Sequence, residues 1–236
     1  MSTLVWPRQL LMPARTTINP VPFTRSGGRS LGGIEPATRT DRGYWSIGLE
    51  KVELHTRQQR QVWSAIRTAL SGRSGLIAIP IWSFSTAPFA SGSYEPVTLT
   101  THGDGATFGD GSQYRQGAIA VRMADAVAIG ATSVRLEIVH ADANLVGVRF
   151  SHDHALYETG PATLVDGDTW TVPITPAARA AIPAGADLEF DEPTCLCRLA
   201  EDNGMDASLN NVRYDTPSVA FVEAVDYWSD LAAGLI

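Results

Sequence analysis

"GVRFSHDHALYE", residues 147–158, decides how this chain reads. "GVRF" and "ALYE" are two strand-like pieces, and the polar linker between them, Ser151 to His154, reads as the tip of a β-hairpin. The linker is also the most chemically suggestive stretch of the sequence. His152 and His154 flank Asp153, and a His-x-His pair is a common first half of a metal site. Such a site needs at least a third ligand and a second layer of groups to orient each imidazole. His55, His102 and His140 lie in other segments, although His102-Gly103-Asp104 and His140-Ala141-Asp142 repeat a His-x-Asp spacing. The reading is a solvated turn, with no metal assigned.

The hairpin belongs to a run of short strands between residues 117 and 199: "GAIAVRMA", "TSVRLEIV", "VGVRF", "ALYE", "TWTVPI", "ADLEF" and "TCLCRL". Turn formers separate most of them, which is the pattern of a small β-barrel or sandwich. Pro176 opens "PAARAAI", read as one helical turn where the barrel changes direction.

Upstream, residues 1–43 are broken by Pro, Gly, Arg and Thr and read as an extended arm. Within it Trp6, Leu10, Leu11 and Met12 form an apolar cluster, suited equally to a partner or to the chain's own core. In "YWSIGLEKVELH", residues 44–55, Trp45, Ile47 and Leu49 alternate before the phase shifts to Val52 and Leu54, so a strand with a bulge or bend near Gly48 is expected. One helix follows, with Thr56 as N-cap, an apolar stripe of Val62, Ile66, Ala69 and Leu70 flanked by Trp63, and Gly72 to end it. "GLIAIPIWSF" then reads as a buried strand. The chain is therefore expected to be mainly β with one or two helices, a minor α+β class. The division is an arm at 1–43, a β-rich unit with one helix at 44–116, a small β-barrel-like domain at 117–204, and C-terminal strands and tail at 205–236. Strands from 205–225 are free to return to the first unit.

Composition narrows function. At 236 residues the chain buries a core without disulfides or metals. Its formal charge of -7, with no block of like charges, leaves no basic groove for nucleic acid. No apolar run approaches the ~20 residues of a membrane span, and the first residues lack a proper signal-peptide core, so the protein is expected to begin life in a cytoplasm. Cys195 and Cys197, two apart on an extended strand, read as reduced thiols because such neighbours are poorly placed to bridge. A Cys-x-Cys metal half-site has no second pair to complete it. Two Gly-Asp-Gly turns, at 103–105 and 109–111, are too few for a calcium-binding repeat. The pairs Asp191-Glu192 and Glu201-Asp202 read as solvated turns, and there is no nucleophile elbow, phosphate loop or zinc helix. No catalytic, cofactor-binding or metal residue is assigned.

The run "RQVWSAIRTALSGRSGLIAIPIW", the doubled "GDGATFGDGSQY", "GVRFSHDHALYE", "TVPITPAARAAIPAGADLEFDEPTCLCRLAEDNGMD" and "VAFVEA" together resemble tail structural proteins of long-tailed phages and prophages, over roughly residues 43–225. The resemblance is of texture and segment order. It implies a distal-tail or tail-hub component with no chemistry of its own, assembled in the host cytoplasm into the virion's tail tip. The implied partners are other copies in a hexameric ring, the tail tube protein, and tail hub or fibre proteins. A carbohydrate-binding or glycan-degrading β protein of the tail tip is the other reading. It would use Trp82, Phe84, Tyr94 or Trp170 to stack on sugars, although aromatics beside strands more often fill cores.

Overall fold

The computed structural model describes residues 3–26, 28, 31–33, 37–96, 98–100, 114–206 and 215–235. In chain order the elements are β1 (Pro13–Ser26), β2 (Ala37–Val52), helix α1 (Arg57–Leu70), β3 (Ile77–Pro80), β4 (Thr98–Thr100), β5 (Tyr114–Gln116), β6 (Ala120–Met123), β7 (Ser133–His140), β8 (Arg149–His152), β9 (Ala155–Thr159), β10 (Leu164–Asp166), β11 (Thr169–Thr175), β12 (Asp187–Leu188), β13 (Thr194–Leu199), β14 (Val219–Glu223) and helix α2 (Val225–Ala232). The protein is mainly β, with a five-stranded sheet and a nearly closed barrel-like sheet.

Helix α1 forms where the sequence puts it. Thr56 and Gln59 make a reciprocal capping box, and Ser71 and Gly72 end the helix with φ of 47° and 76°. Its buried face is Trp63, Ile66 and Leu70. Trp63 takes the centre of that face and Ala69 stays exposed, a rotation of the expected stripe fixed by the Trp63 indole N–H donating to the Met205 carbonyl at 3.1 Å. Gln59 also donates to the Leu10 carbonyl at 3.0 Å, tying the helix to the N-terminal segment.

The five-stranded sheet has the order β1-β2-β14-β13-β3, all antiparallel. Residues 13–26, read from sequence as part of an arm, form its edge strand. Pro20 and Pro22 sit there because an edge strand, and the register shift between Val21 and Phe23, spare a backbone donor. β2 starts at Ala37. Its change of phase lies at Lys51, whose φ of 53° turns the chain by one residue between Leu49 and Val52, and not at Gly48. β14 returns from the C-terminal segment to lie between β2 and β13. β13 itself, counted by sequence among the barrel strands, joins this sheet.

The barrel-like sheet runs β12-β6-β7-β11-β9-β8, with β10 pairing β11. It closes through an antiparallel bridge in which Ser151 and Glu189 exchange N–H to carbonyl bonds of 2.9 and 3.0 Å. Residues 176–182 make bends and not a helical turn. Ala178 donates to the Ala131 carbonyl and accepts from Gly130, so its polar groups serve the neighbouring turn.

Two cores result. Trp6, Leu11, Trp45, Trp63 and Phe221 anchor the first, and Phe150, Tyr157 and Phe190 the second. Trp6 and Leu11 thus cover this chain's own core. β13 faces both, with Cys195, Cys197 and Leu199 in the first and Leu196 in the second.

Polar groups lock the two bodies together. Trp45 on β2 donates its indole N–H to the Leu156 carbonyl on β9 at 2.9 Å. Arg179, from the bend after β11, makes a bidentate pair with Glu223 on β14 at 2.8 and 2.9 Å, and both side chains are buried. Arg179 also donates to the Gly43 carbonyl, and Glu223 accepts the Trp45 N–H at 3.1 Å. The Arg179 N–H donates to the Tyr157 hydroxyl at 2.9 Å. Burial pushes the Tyr157 phenol up to about 12 and raises the Glu223 carboxyl, which Arg179 and the Trp45 N–H pull back down.

Removing one partner of a buried pair strands the other charge. Arg179→Met should therefore cost about 3–5 kcal/mol in urea unfolding, while Arg179→Met with Glu223→Met together should recover most of that loss. Equal cost for the single and double variants would show that the pair is not the relevant interaction.

Candidate functional site

A cleft of about 800 Å³ opens between residues 5–10 and the rim of the barrel at the β8–β9 turn. Arg8, His152, Asp153, His154, Glu189 and Glu192 line it. One wall is pinned by strand-like pairing of the N-terminal segment to β3: Trp6 donates to the Ala78 carbonyl at 2.9 Å and Ala78 to the Leu4 carbonyl at 2.8 Å. The opposite wall is the hairpin read from "GVRFSHDHALYE". Its register pairs His152 with Ala155, so the strands continue through Ser151 and His152, and only Asp153 and His154 turn the chain. Both turn residues have positive φ, 49° and 69°, the condition for a two-residue turn that matches strand twist.

The tip is drier than a hairpin tip usually is. Asp153 is 87% exposed, but Ser151 is buried and accepts the Thr194 N–H on its hydroxyl at 3.0 Å. His154 is half-buried, with Nδ1 2.8 Å from the Thr194 hydroxyl, and desolvation lowers its pKa below the ordinary 6.5 against the pull of Asp153. Nδ1 of His152 lies 3.6 Å from the Asp153 carboxylate. Among the described residues no three His, Cys, Asp or Glu side chains gather to hold a metal ion. His55 and His140 lie away from the cleft, and His102 and both Gly-Asp-Gly turns fall outside the described residues.

Sequence reading missed Arg8 and the acidic residues facing it. The Arg8 guanidinium lies over Phe84, 4.4 Å from the ring centroid, and 5.5 Å from that of Trp82. It is 3.6 Å from Glu192, and its Nη1 is buried without a hydrogen-bond partner. Burial lowers its pKa, while Glu192 raises it. Glu189 accepts the Glu192 N–H at 2.8 Å, and Asp187 pairs with Arg122 at 3.0 Å. Two carboxylates read as solvated are structural. Asp191 accepts the N–H groups of Ala118 and Ile119 at 2.9 and 3.2 Å, and Asp202 that of Arg73 at 3.1 Å.

Of the four aromatic candidates two pack against the cores, while Phe84 and Tyr94 stay 44% and 58% exposed. Trp82 packs against the first core and Trp170 against the second. Phe84 lies under Arg8, and Tyr94 meets Phe84 and Phe89 edge-on at 5.1 and 5.6 Å. Cys195 and Cys197 are free thiols in the core, and burial pushes the Cys195 thiol up. No family model matches this chain, and no curated protein matches it.

Two outcomes follow from this environment. Because the native His154 ring holds its proton less tightly than the unfolded one, its contribution is full above pH ~6.5 and is lost as pH falls through the lower native value. His154→Asn, which keeps a residue tolerant of positive φ, should flatten the dependence of the unfolding midpoint on pH as pH falls below the ordinary histidine value. A thiol reagent should label native protein slowly and take up two equivalents only on unfolding, since the two cysteines are buried.

Proposed function

We propose that this chain is a structural component of a long-tailed phage tail, of the distal-tail or tail-hub type. It forms a homo-oligomeric ring, hexameric by resemblance, at the tail tip, docks the tail tube protein to hub or fibre proteins, and is assembled in the host cytoplasm. The observation that carries the reading is the β1–β2 ribbon. β14 pairs with β2 only from Ser46 to Leu49, yet β1 and β2 go on pairing with each other out to Ser26 and Ala37. A two-stranded ribbon extended past its sheet is marginal alone in water and gains from a neighbour. The other edge of the sheet is covered by residues 4–6 bonded to Ala78, so β1 is the edge left for pairing among the described residues. A cyclic ring uses such surfaces head to tail and closes them. The barrel-like sheet gives each copy a second rigid face for tube or tip proteins.

Negative-stain microscopy and mass measurement, on the purified protein with and without tail tubes, test the reading. Rings, or density added at tube ends, are the expected result. A monomer that ignores tube ends and binds glycans on an array would instead support a carbohydrate-binding or glycan-degrading tip protein.

A further inference from the structure

The outer side of helix α1 is basic without relief. Residues 54–75 hold four of the chain's eighteen lysines and arginines, Arg57, Arg60, Arg67 and Arg73, and none of its twenty-five carboxylates. Arg57, Arg60, Ser64 and Arg67 recur at i, i+3, i+7 and i+10, so they form one stripe beside the buried face, and all four are exposed. A depression of about 520 Å³ lies along the stripe, bordered by His55, Arg57, Arg60, Gln61 and Ser64.

The helix itself draws little from these cations. Its first turn has no acidic residue, so Arg57 sits at the positive end of the macrodipole, three residues from a second guanidinium that repels it. Only Arg67, in the last turn, suits the macrodipole. Among the described residues neither Arg57 nor Arg67 has an ion pair.

Carboxylates that match the stripe lie elsewhere on the same chain. At the mouth of the cleft Asp153, Asp187 and Glu189 are exposed. Among the described residues Arg122 pairs with Asp187 and Arg8 with Glu192, which leaves Asp153 and Glu189 without a guanidinium. Both patches are fixed to one segment. Residues 5–10 wall the cleft, and the Leu10 carbonyl accepts the Gln59 side chain of α1. Stripe and cleft mouth therefore keep a constant offset in every copy.

We propose that the arginine stripe of α1 docks on the acidic cleft mouth of a second copy of this chain, with Arg57 and Arg67 meeting Asp153 and Glu189. Guanidinium and carboxylate pair bidentately across such interfaces. The two patches are different surfaces, so the contact runs head to tail, and a constant offset lets its repetition close a ring. Nucleic acid is the poorer occupant, because three arginines spread over about 15 Å of helix make few phosphate contacts and a chain of formal charge -7 repels a polyanion. The proposal rests on the ring reading and names a contact that builds it.

Charge exchange tests the contact. One variant carries Arg57→Glu with Arg67→Glu, the other Asp153→Lys with Glu189→Lys, and sedimentation velocity reads self-association with and without tail tubes. Each variant alone should associate about tenfold more weakly than wild type. An equimolar mixture should recover, because glutamate stripes meet lysine mouths and arginine stripes meet acidic mouths in alternation. Wild-type association should also weaken as salt rises. Circular dichroism checks folding, and Asp153→Asn with Glu189→Gln replaces the lysine variant if that one fails to fold, again with weaker association expected. Undiminished association of any variant, or losses that mixing the reversed pair fails to restore, would overturn the contact while leaving the ring intact. Duplex DNA bound by wild type and released by the glutamate variant would overturn the second copy as occupant. A wild-type chain that never associates, with or without tubes, would remove the ring reading as well.

Discussion

The fold turns on one buried ion pair. Arg179 and Glu223 are 44 residues apart, and their shared partners Gly43 and Trp45 are farther still from both. Taking two charges out of water is costly, and the cost is offset only where geometry is good and the remaining donors and acceptors are filled. Here the guanidinium meets both carboxylate oxygens and a backbone carbonyl, and the carboxylate takes a backbone N–H as well. Such a pair contributes little net stability. Its effect is on geometry, because β2, β14 and the bend after β11 must meet in a single arrangement for these groups to be satisfied.

That arrangement fixes where the barrel stands on the sheet. Arg149 adds a second tie, pairing with Glu158 at 2.7 Å, donating to the Ile18 carbonyl at 3.2 Å and covering the Trp45 ring at 5.4 Å. With the barrel seated, the β8–β9 turn faces the segment that Trp6 holds against β3. The cleft is the space between two elements, each immobilised for a separate reason. Its polar lining is therefore held in place rather than left on a mobile loop.

Local patterns carried much of this architecture in the sequence. The capped helix after Thr56, the buried run at Ile77 to Pro80, the close-spaced strands after residue 117 and the hairpin at 147–158 all follow from periodicity and turn chemistry, which act over a few residues. Strand partnership does not. "TCLCRL" has the look of a barrel strand, and only its pairing with β3 and β14 assigns it to the other sheet. The Gly48 expectation was close because the phase shift was visible, but a left-handed lysine leaves no compositional mark. Arg8, Arg179 and Glu223 were illegible for a related reason. A single charged residue in a polar-looking stretch has no periodicity, and its burial depends on segments far away along the chain. The His-Asp-His turn was legible as a turn but not as a dry one, since Thr194 and Ser151 meet only through tertiary contact.

β13 has a consequence for how such a protein can change over evolutionary time. Its residues serve two interiors at once, Cys195, Cys197 and Leu199 the first and Leu196 the second, so neither half is whole without it. Neither half is a cassette that recombination can lift out and splice elsewhere. A change at Cys195 or Cys197 disturbs one interior directly and, through the shared backbone at Leu196, the other as well.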